Sequence, residues 1–246
     1  TYKASGVVLH TIKYGDNSLI AYIYTDLYGR LSYLVRGVSG SGRRTRGNKA
    51  ALLQPMSVIE FEGYQNRHSQ LHSMRDVRNK LVLKSLPFDL SKSAISLFMA
   101  EVLYRLVREE TPNQPLFDFV SSSVEALDMV DTKDRTSIAN FHLWFLVQLS
   151  RFLGFYPSGE YSLGDVFDIR EGVFCSGLPF HGTYMCEPSA MILNQMMNVE
   201  PQGLAEVKLS GEKRNQFVGD LLNFIGFHFD MVHNINSLKI LQEVFR

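Results

Sequence analysis

Apolar and polar positions follow one rhythm in the first third of the chain and another in the rest. Up to about residue 78 the apolar residues recur with a period near two, the mark of half-buried strands. Gly6–Lys13 (GVVLHTIK) is rich in β-branched residues and is followed by the turn residues Tyr14-Gly15-Asp16-Asn17. Ser18–Thr25 (SLIAYIYT) is a second strand, closed by Asp26-Leu27-Tyr28-Gly29, and Arg30–Val38 is a third. A fourth lies in Ala51–Tyr64, strongest over MSVIEFEGY. There Val58 and Ile59 sit side by side ahead of Glu60 and Glu62, which predicts a bulge or bend. Gln70–Arg78 makes a fifth. Five short strands in succession predict a small closed barrel, since closure removes exposed strand edges. An OB-type barrel fits best, with an SH3-like barrel as the alternative.

The period changes to 3.6 at Leu86-Pro87-Phe88-Asp89, which marks the boundary between the barrel and a helical body. Ser91 is placed to cap a helix with an apolar face of Ile95, Phe98, Met99, Val102, Leu103 and Leu106. Leu116–Val130 is a second helix. Arg135–Leu153 is a third, apolar nearly all round and so predicted to be central, ending at Gly154 and Pro157. Residues 155–186 break the helical pattern, with a strand pair expected at Val166–Arg170 and Gly172–Cys175. Helices resume at Pro188–Asn198, Gly211–Phe229 and Ser237–Phe245. The fold class is α+β: an OB-type barrel at 1–80, a helical part at 81–154, an irregular module at 155–187, and C-terminal helices at 188–246.

Charge adds a functional direction. The chain is neutral overall, with 25 basic and 25 acidic residues. Residues 1–80 nevertheless hold 12 Lys/Arg against 5 Asp/Glu, leaving an acidic remainder. Between Leu27 and Ile59 lie Arg30, Arg36, Arg43, Arg44, Arg46 and Lys49 with no carboxylate, on a strand and a Gly/Ser-rich loop. Such a loop spreads guanidinium groups along a surface, which suits the phosphate backbone of a nucleic acid. A solvated hairpin tip is the plainer alternative. Arg67, Arg75, Arg78 and Lys80 extend the basic set. Aromatics interleave with it, and Tyr28 and Tyr33, nearest the loop, are the candidates for stacking on bases.

Enzymatic motifs do not appear: there is no nucleophile elbow, phosphate-binding loop or dinucleotide fingerprint. His142 and His228 read as structural, and Glu109-Glu110 as solvated. Cys175, His181 and Cys186 have the spacing C-x5-H-x4-C, without a C-x2-C knuckle. The two cysteines read as buried structural thiols, with no metal and no cofactor expected. No apolar run reaches the length of a membrane helix and no signal-peptide pattern opens the chain, so the expected location is the cytoplasm.

Several segments resemble the RecO family of bacterial recombination mediators. They are GVVLHTIKYGDNSLIAYIYTDLYGRLSYLVRGV near the start, LFMAEVLYRLVREETPN at 97–113, FHLWFLVQLSRFLGFYP at 141–157, FDIREGVF at 167–174, and the closing HFDMVHNINSLKILQEV. The resemblance implies an N-terminal OB-fold, a helical body and a non-enzymatic role. It further implies binding of single- and double-stranded DNA, strand annealing, and partnership with RecR and with the single-stranded-DNA-binding protein SSB. Many relatives carry a four-cysteine zinc module after the third helix. Here the first pair's region reads Ser158-Gly159-Glu160-Tyr161-Ser162-Leu163, so Phe155, Tyr156, Phe167, Phe174 and Phe180 are expected to hold the module by packing. The acidic, apolar-ended tail of SSB needs an apolar slot with a cation at its rim, for which Arg105, Arg108 and above all Arg151 are the candidates. The competing reading of the whole chain is a protein-interaction adaptor whose barrel docks an acidic partner.

Overall fold

Alternation along Ser18–Thr25 and Gly29–Arg36 turns Ala21, Ile23, Leu31, Tyr33 and Val35 to one side, and these form the interior of a closed barrel. The computed structural model describes residues 1–38, 49–64, 69–229 and 234–245. Strands β1 (Tyr2–Lys13), β2 (Ser18–Thr25), β3 (Gly29–Arg36), β4 (Val58–Tyr64) and β5 (Leu71–Asn79) close in the order β1-β2-β3-β5-β4. All pairings are antiparallel except β3 with β5, where Tyr33 lies opposite His72. This is the five-stranded OB-type architecture expected from the strand pattern.

Two bulges shape the barrel. On β1 the register slips between Val8 and His10, adding Leu9 opposite β2. The second slip lies in the β4–β5 pairing, where Glu60 and Glu62 oppose Arg78 and Arg75. The extra residue is therefore on β5, not on β4 as the sequence suggested, and Asp76 there takes a positive φ of 52°. The expected fourth strand also starts late. Lys49–Leu52 (KAAL, good helix formers) makes one helical turn, α1, and the chain reverses at Pro55-Met56 before β4 begins.

The chain divides into two compact units. The first is Thr1–Leu86 with Ser96–Glu125, and contains the barrel with most of helices α2 (Leu90–Leu106) and α3 (Gln114–Met129). Within it the barrel is bonded to the segment joining the helices. Arg30 N–H donates to Glu109 O at 3.0 Å and Tyr24 Oη to Asn113 O at 3.3 Å. Gly29 lies against the same segment with φ 66°, and a Cβ there would fall 2.3 Å from Glu109 O. The tight turn ahead of β3 thus needs glycine both for its backbone and for its neighbour.

The second unit is Pro87–Ile95 with Ala126–Arg246. Asp89, not Ser91, caps α2: its carboxylate accepts from Lys92 N–H at 3.0 Å. A carboxylate three residues ahead of the first free amide is the better acceptor. The Lys92 ammonium is buried and donates to the carbonyls of Asp128 and Val130 at the end of α3.

Helix α4 (Arg135–Leu153) is the centre of this unit, buried almost without interruption from Ser137 to Ser150. Asp134 caps its start through Ser137 N–H, and Gly154 ends it in the left-handed conformation. Its one deeply buried amide, Asn140, donates to Leu204 O and Val207 O and accepts from Arg214 Nε. One side chain thereby ties α4 to the 3-10 turn Pro201–Glu206 and to α6 (Gly211–His228). Helices α5 (Glu187–Asn198) and α7 (Ser237–Val244) complete the helical set.

The strand pair expected within residues 155–187 forms, as part of a three-stranded sheet. Its strands β6 (Val166–Asp168), β7 (Val173–Cys175) and β8 (Tyr184–Met185) lie in the order β7-β6-β8. The two-residue β8 carries no periodicity to read and was not foreseen. Phe167 packs edge-on against Phe174 and Phe224, and Phe155 joins through Phe224. Tyr156 donates to Met197 O. Phe180 departs from the expectation: it is fully exposed at the turn before β8 and holds nothing together.

Candidate nucleic-acid interface

The inward set of the barrel decides which residues face out. With Ala21, Ile23, Leu31, Tyr33 and Val35 inside, the outer positions of β2 and β3 are Ile20, Tyr22, Tyr24, Arg30, Ser32, Leu34 and Arg36. On β1, beyond its bulge, His10 and Ile12 lie opposite Tyr22 and Ile20. This face is graded. Tyr24, at one end, is buried beneath Phe117 and the Asn113 carbonyl, and burial pushes its hydroxyl up to about 12. Further along, His10 is exposed and Tyr22 half-buried, and the rung Ile12–Ile20–Leu34 is partly open. Tyr14 lies exposed just past β1, and Arg36 ends β3 in solvent.

Strands β1, β2 and β3 together carry Lys3, Lys13, Arg30 and Arg36 and not one carboxylate. The other side of the barrel differs. Arg75 pairs with Glu62 and Arg78 with Glu60, each at 2.8 Å, and Arg75 also lies over the Tyr64 ring. Those two arginines, taken from the sequence as phosphate contacts, already have carboxylate partners. Lys80 Nζ donates to Ser5 Oγ and sits 5.7 Å from the centre of the Phe117 ring. Strands β1–β3 thus carry no carboxylate of their own, although Lys3 lies opposite Glu62 on β4 and Glu110 acts on Arg30; Lys13 and Arg36 are exposed.

The remaining predicted residues divide clearly. Lys49 Nζ, on α1, donates to the backbone carbonyl of Arg36 at 3.3 Å. Arg43, Arg44, Arg46 and Arg67 lie outside the described residues. Tyr33 is corrected: it is wholly buried, bonded to Tyr2 Oη at 2.8 Å and packed on Phe61, with burial driving its hydroxyl far up. It cannot stack on a base. Tyr28 is half-buried, edge-on to Tyr2 at 4.7 Å.

The rings that do reach the open face are His10, Tyr22 and, from α2, Tyr104. Centroid distances are 4.8 Å for His10–Tyr104 and 5.0 Å for Tyr22–Tyr104. Arg30 lies 5.1 Å over the Tyr104 ring and donates to the Tyr104 carbonyl. Sequence reasoning passed over His10 and Tyr104. Strand parity would have exposed Tyr22 once Tyr33 was known to point inward, but Tyr104 comes from another element and leaves no local signal.

In the helical parts, Arg105 pairs with Glu101 at 2.6 Å and Arg108 Nε donates to Arg105 O. Arg151, in the other unit, lies 4.4 Å over the Tyr156 ring.

The three residues considered for zinc do not fit it. His181 Nε2 is bonded to Asp168 at 3.0 Å while Nδ1 accepts from Thr183 N–H, so both ring nitrogens are committed. Cys175 Sγ donates to Gly177 O. Cys175 is half-buried and Cys186 exposed, which corrects the expectation of buried thiols. Among the described residues no three His, Cys, Asp or Glu side chains converge on a metal-sized site. Nor is any described helix long and apolar enough to cross a membrane.

The sequence of the barrel and that of the helical body each match a known family. The family model for the recombination protein O N terminal matches residues 1–80, and that for its C terminal matches residues 87–216. The chain belongs to the RecO family. A protein of Phocaeicola vulgatus named DNA repair protein RecO is 37% identical over 99% of this chain and 98% of its own length. RecO of Bacteroides fragilis shows the same identity and coverage, and RecO of Flavobacterium johnsoniae is 29% identical over 99% of this chain and 98% of its own. Membership in the RecO family makes this a DNA repair and recombination protein with an OB-fold at its N terminus.

Proposed function

We propose that this protein acts in the cytoplasm as a DNA-binding repair mediator. In this reading it binds single- and double-stranded DNA, anneals complementary strands, and works with RecR to help recombinase load at SSB-coated gaps. The observation that carries the reading is that β1–β3 hold cations and no carboxylate of their own, with Arg36 exposed at the end of β3 and Lys49 bonded to its carbonyl. Chemically, such a face neutralises phosphates, and a protein that lowers the charge of two strands at once lowers their mutual repulsion. Residues 1–80 are then the DNA-binding part, with Arg43, Arg44 and Arg46 among its phosphate contacts.

The test is a titration of labelled single-stranded DNA across salt concentrations. Changing Arg43, Arg44 and Arg46 to Glu should abolish binding at moderate salt. Changing Arg36 and Lys49 to Gln should weaken it and flatten the log–log salt slope by about 2 units. Wild-type-like binding and slope in both variants would remove this face from the account. A slope near zero in the wild type would favour the adaptor reading instead.

For the SSB tail, Arg151 is the preferred rim cation. Its guanidinium rests on Tyr156 and pairs with no carboxylate among the described residues, whereas Arg105 already holds Glu101. Arg151→Ala should reduce binding of the tail peptide about tenfold in fluorescence anisotropy, the usual scale for losing one charge-assisted contact. Undiminished binding in Arg151→Ala, Arg105→Ala and Arg108→Ala would show that the tail docks elsewhere.

A further inference from the structure

We propose that the junction of the barrel with α2 is a nucleobase-stacking site, formed by His10, Tyr22 and Tyr104 and continued by the rung Ile12–Ile20–Leu34. It takes single-stranded nucleic acid by its bases rather than by its phosphates. The inference rests on the nucleic-acid reading above and assigns a separate part of the face to a separate part of the ligand.

Four observations carry it. First, the three rings come from β1, β2 and α2, and lie within 4.8 to 6.0 Å of one another, centroid to centroid. Second, burial falls along the face. Tyr24 is sealed beneath Phe117, whereas Ile12 is 40% and Tyr14 54% exposed, so the apolar surface continues past the helices into solvent. Half-exposed rings beside open aliphatic side chains cost free energy in water and are repaid when a flat apolar face covers them. Third, the strands beneath carry Lys13, Arg30 and Arg36 and no carboxylate of their own, which favours an anionic partner. A polyanion that also offers flat apolar rings is a single-stranded nucleic acid; a duplex keeps its rings stacked inside. Fourth, Arg30 is tied to Tyr104 twice, through the ring and through the carbonyl. Burial, the largest influence on its pKa, lowers it; Arg108 adds to this, and Tyr104, Tyr22 and Glu110 offset it. Arg30 is thus a positioning residue that fixes the Tyr104 ring, while Arg36 at the far end is open to phosphate. Rungs along one face are spaced about 6.7 Å apart, giving a track of two to three bases.

The test uses the full chain and three ligands of equal length and label: a thymidine oligonucleotide, the same strand with abasic residues, and a duplex. Wild type should bind the base-bearing strand roughly tenfold or more tighter than the abasic one. Tyr22→Leu and Tyr104→Leu should erase most of that preference, leaving the salt slope and the duplex affinity unchanged. Tyr22→Phe and Tyr104→Phe should retain it, because the ring and not the hydroxyl is used. Circular dichroism confirms that each variant is folded. Equal affinity of the wild type for base-bearing and abasic strands overturns the proposal even if DNA binding itself stands. So does a loss in the Leu variants that is equal for strand and duplex, which would mean the rings only pack α2 on the barrel. A wild type that binds none of the three ligands overturns this inference together with the function it rests on.

Discussion

Gly29→Ala is expected to destabilise the first unit by more than about 4 kcal/mol, although it adds a single methyl group. Part of the cost is local: at φ 66° an L side chain is disfavoured by about 1 kcal/mol. The larger part is steric. The new Cβ would stand 2.3 Å from Glu109 O, 2.6 Å from Thr111 O and 2.8 Å from Thr111 N. All three are backbone atoms, so relief requires moving the segment that receives Arg30 N–H at Glu109 O. Arg30 and Tyr104 would shift with it, and the stacking preference should fall as well. Gly37→Ala is the control: its φ is 72°, but nothing among the described residues lies within 4 Å of the added methyl. It should cost only about 1 kcal/mol. Hydrogen–deuterium exchange of β1–β5 peptides reads the difference, and equal protection loss in the two variants would refute the steric account.

The second large effect is an acid lability of the second unit centred on His142. This imidazole is fully buried on α4, with Phe245 stacked alongside it, and its pKa is pushed down from 6.5 to about 3. Burial is the main cause; the Arg214 guanidinium adds to it, and a backbone bond with Ala139 partly offsets it. The folded-state pKa is below the unfolded one, so between pH 6.5 and 3 the unfolded chain binds the extra proton. Stability is therefore intact above pH 6.5 and is lost as pH falls. The loss reaches roughly 2 kcal/mol at pH 5 and roughly 4 kcal/mol by pH 3. Trp144 is the only tryptophan and belongs to the same helix, so its fluorescence reports unfolding of this unit. Urea titrations at pH 7.5 and pH 5 should show wild type losing about 2 kcal/mol more than His142→Phe, which keeps a ring beside Phe245 but cannot take a proton. Equal losses in the two proteins would place the acid sensitivity elsewhere.

Residues whose structure is set by near neighbours were legible in the chain. Ser18–Thr25 and Arg135–Leu153 have the predicted ends, because turn residues, an Asp cap and a terminal glycine act within a few positions. The period-two rhythm also revealed the barrel. Parity along a strand is local too, but which of the two faces is the interior is not. That choice depends on Phe61 and Tyr2 arriving from other strands to enclose Tyr33, and so the wrong tyrosine looked available. Arg75 and Arg78 looked free for the same reason: their partners Glu62 and Glu60 are cross-strand neighbours brought opposite by a bulge at Asp76. The aromatic junction is the extreme case. His10, Tyr22 and Tyr104 lie up to 94 positions apart and meet only because Gly29 lets the segment after α2 lie against the barrel. Periodicity and charge are properties of neighbours in sequence, whereas a face, a pairing and a site are properties of neighbours in space. Only closure of the chain on itself decides the second kind.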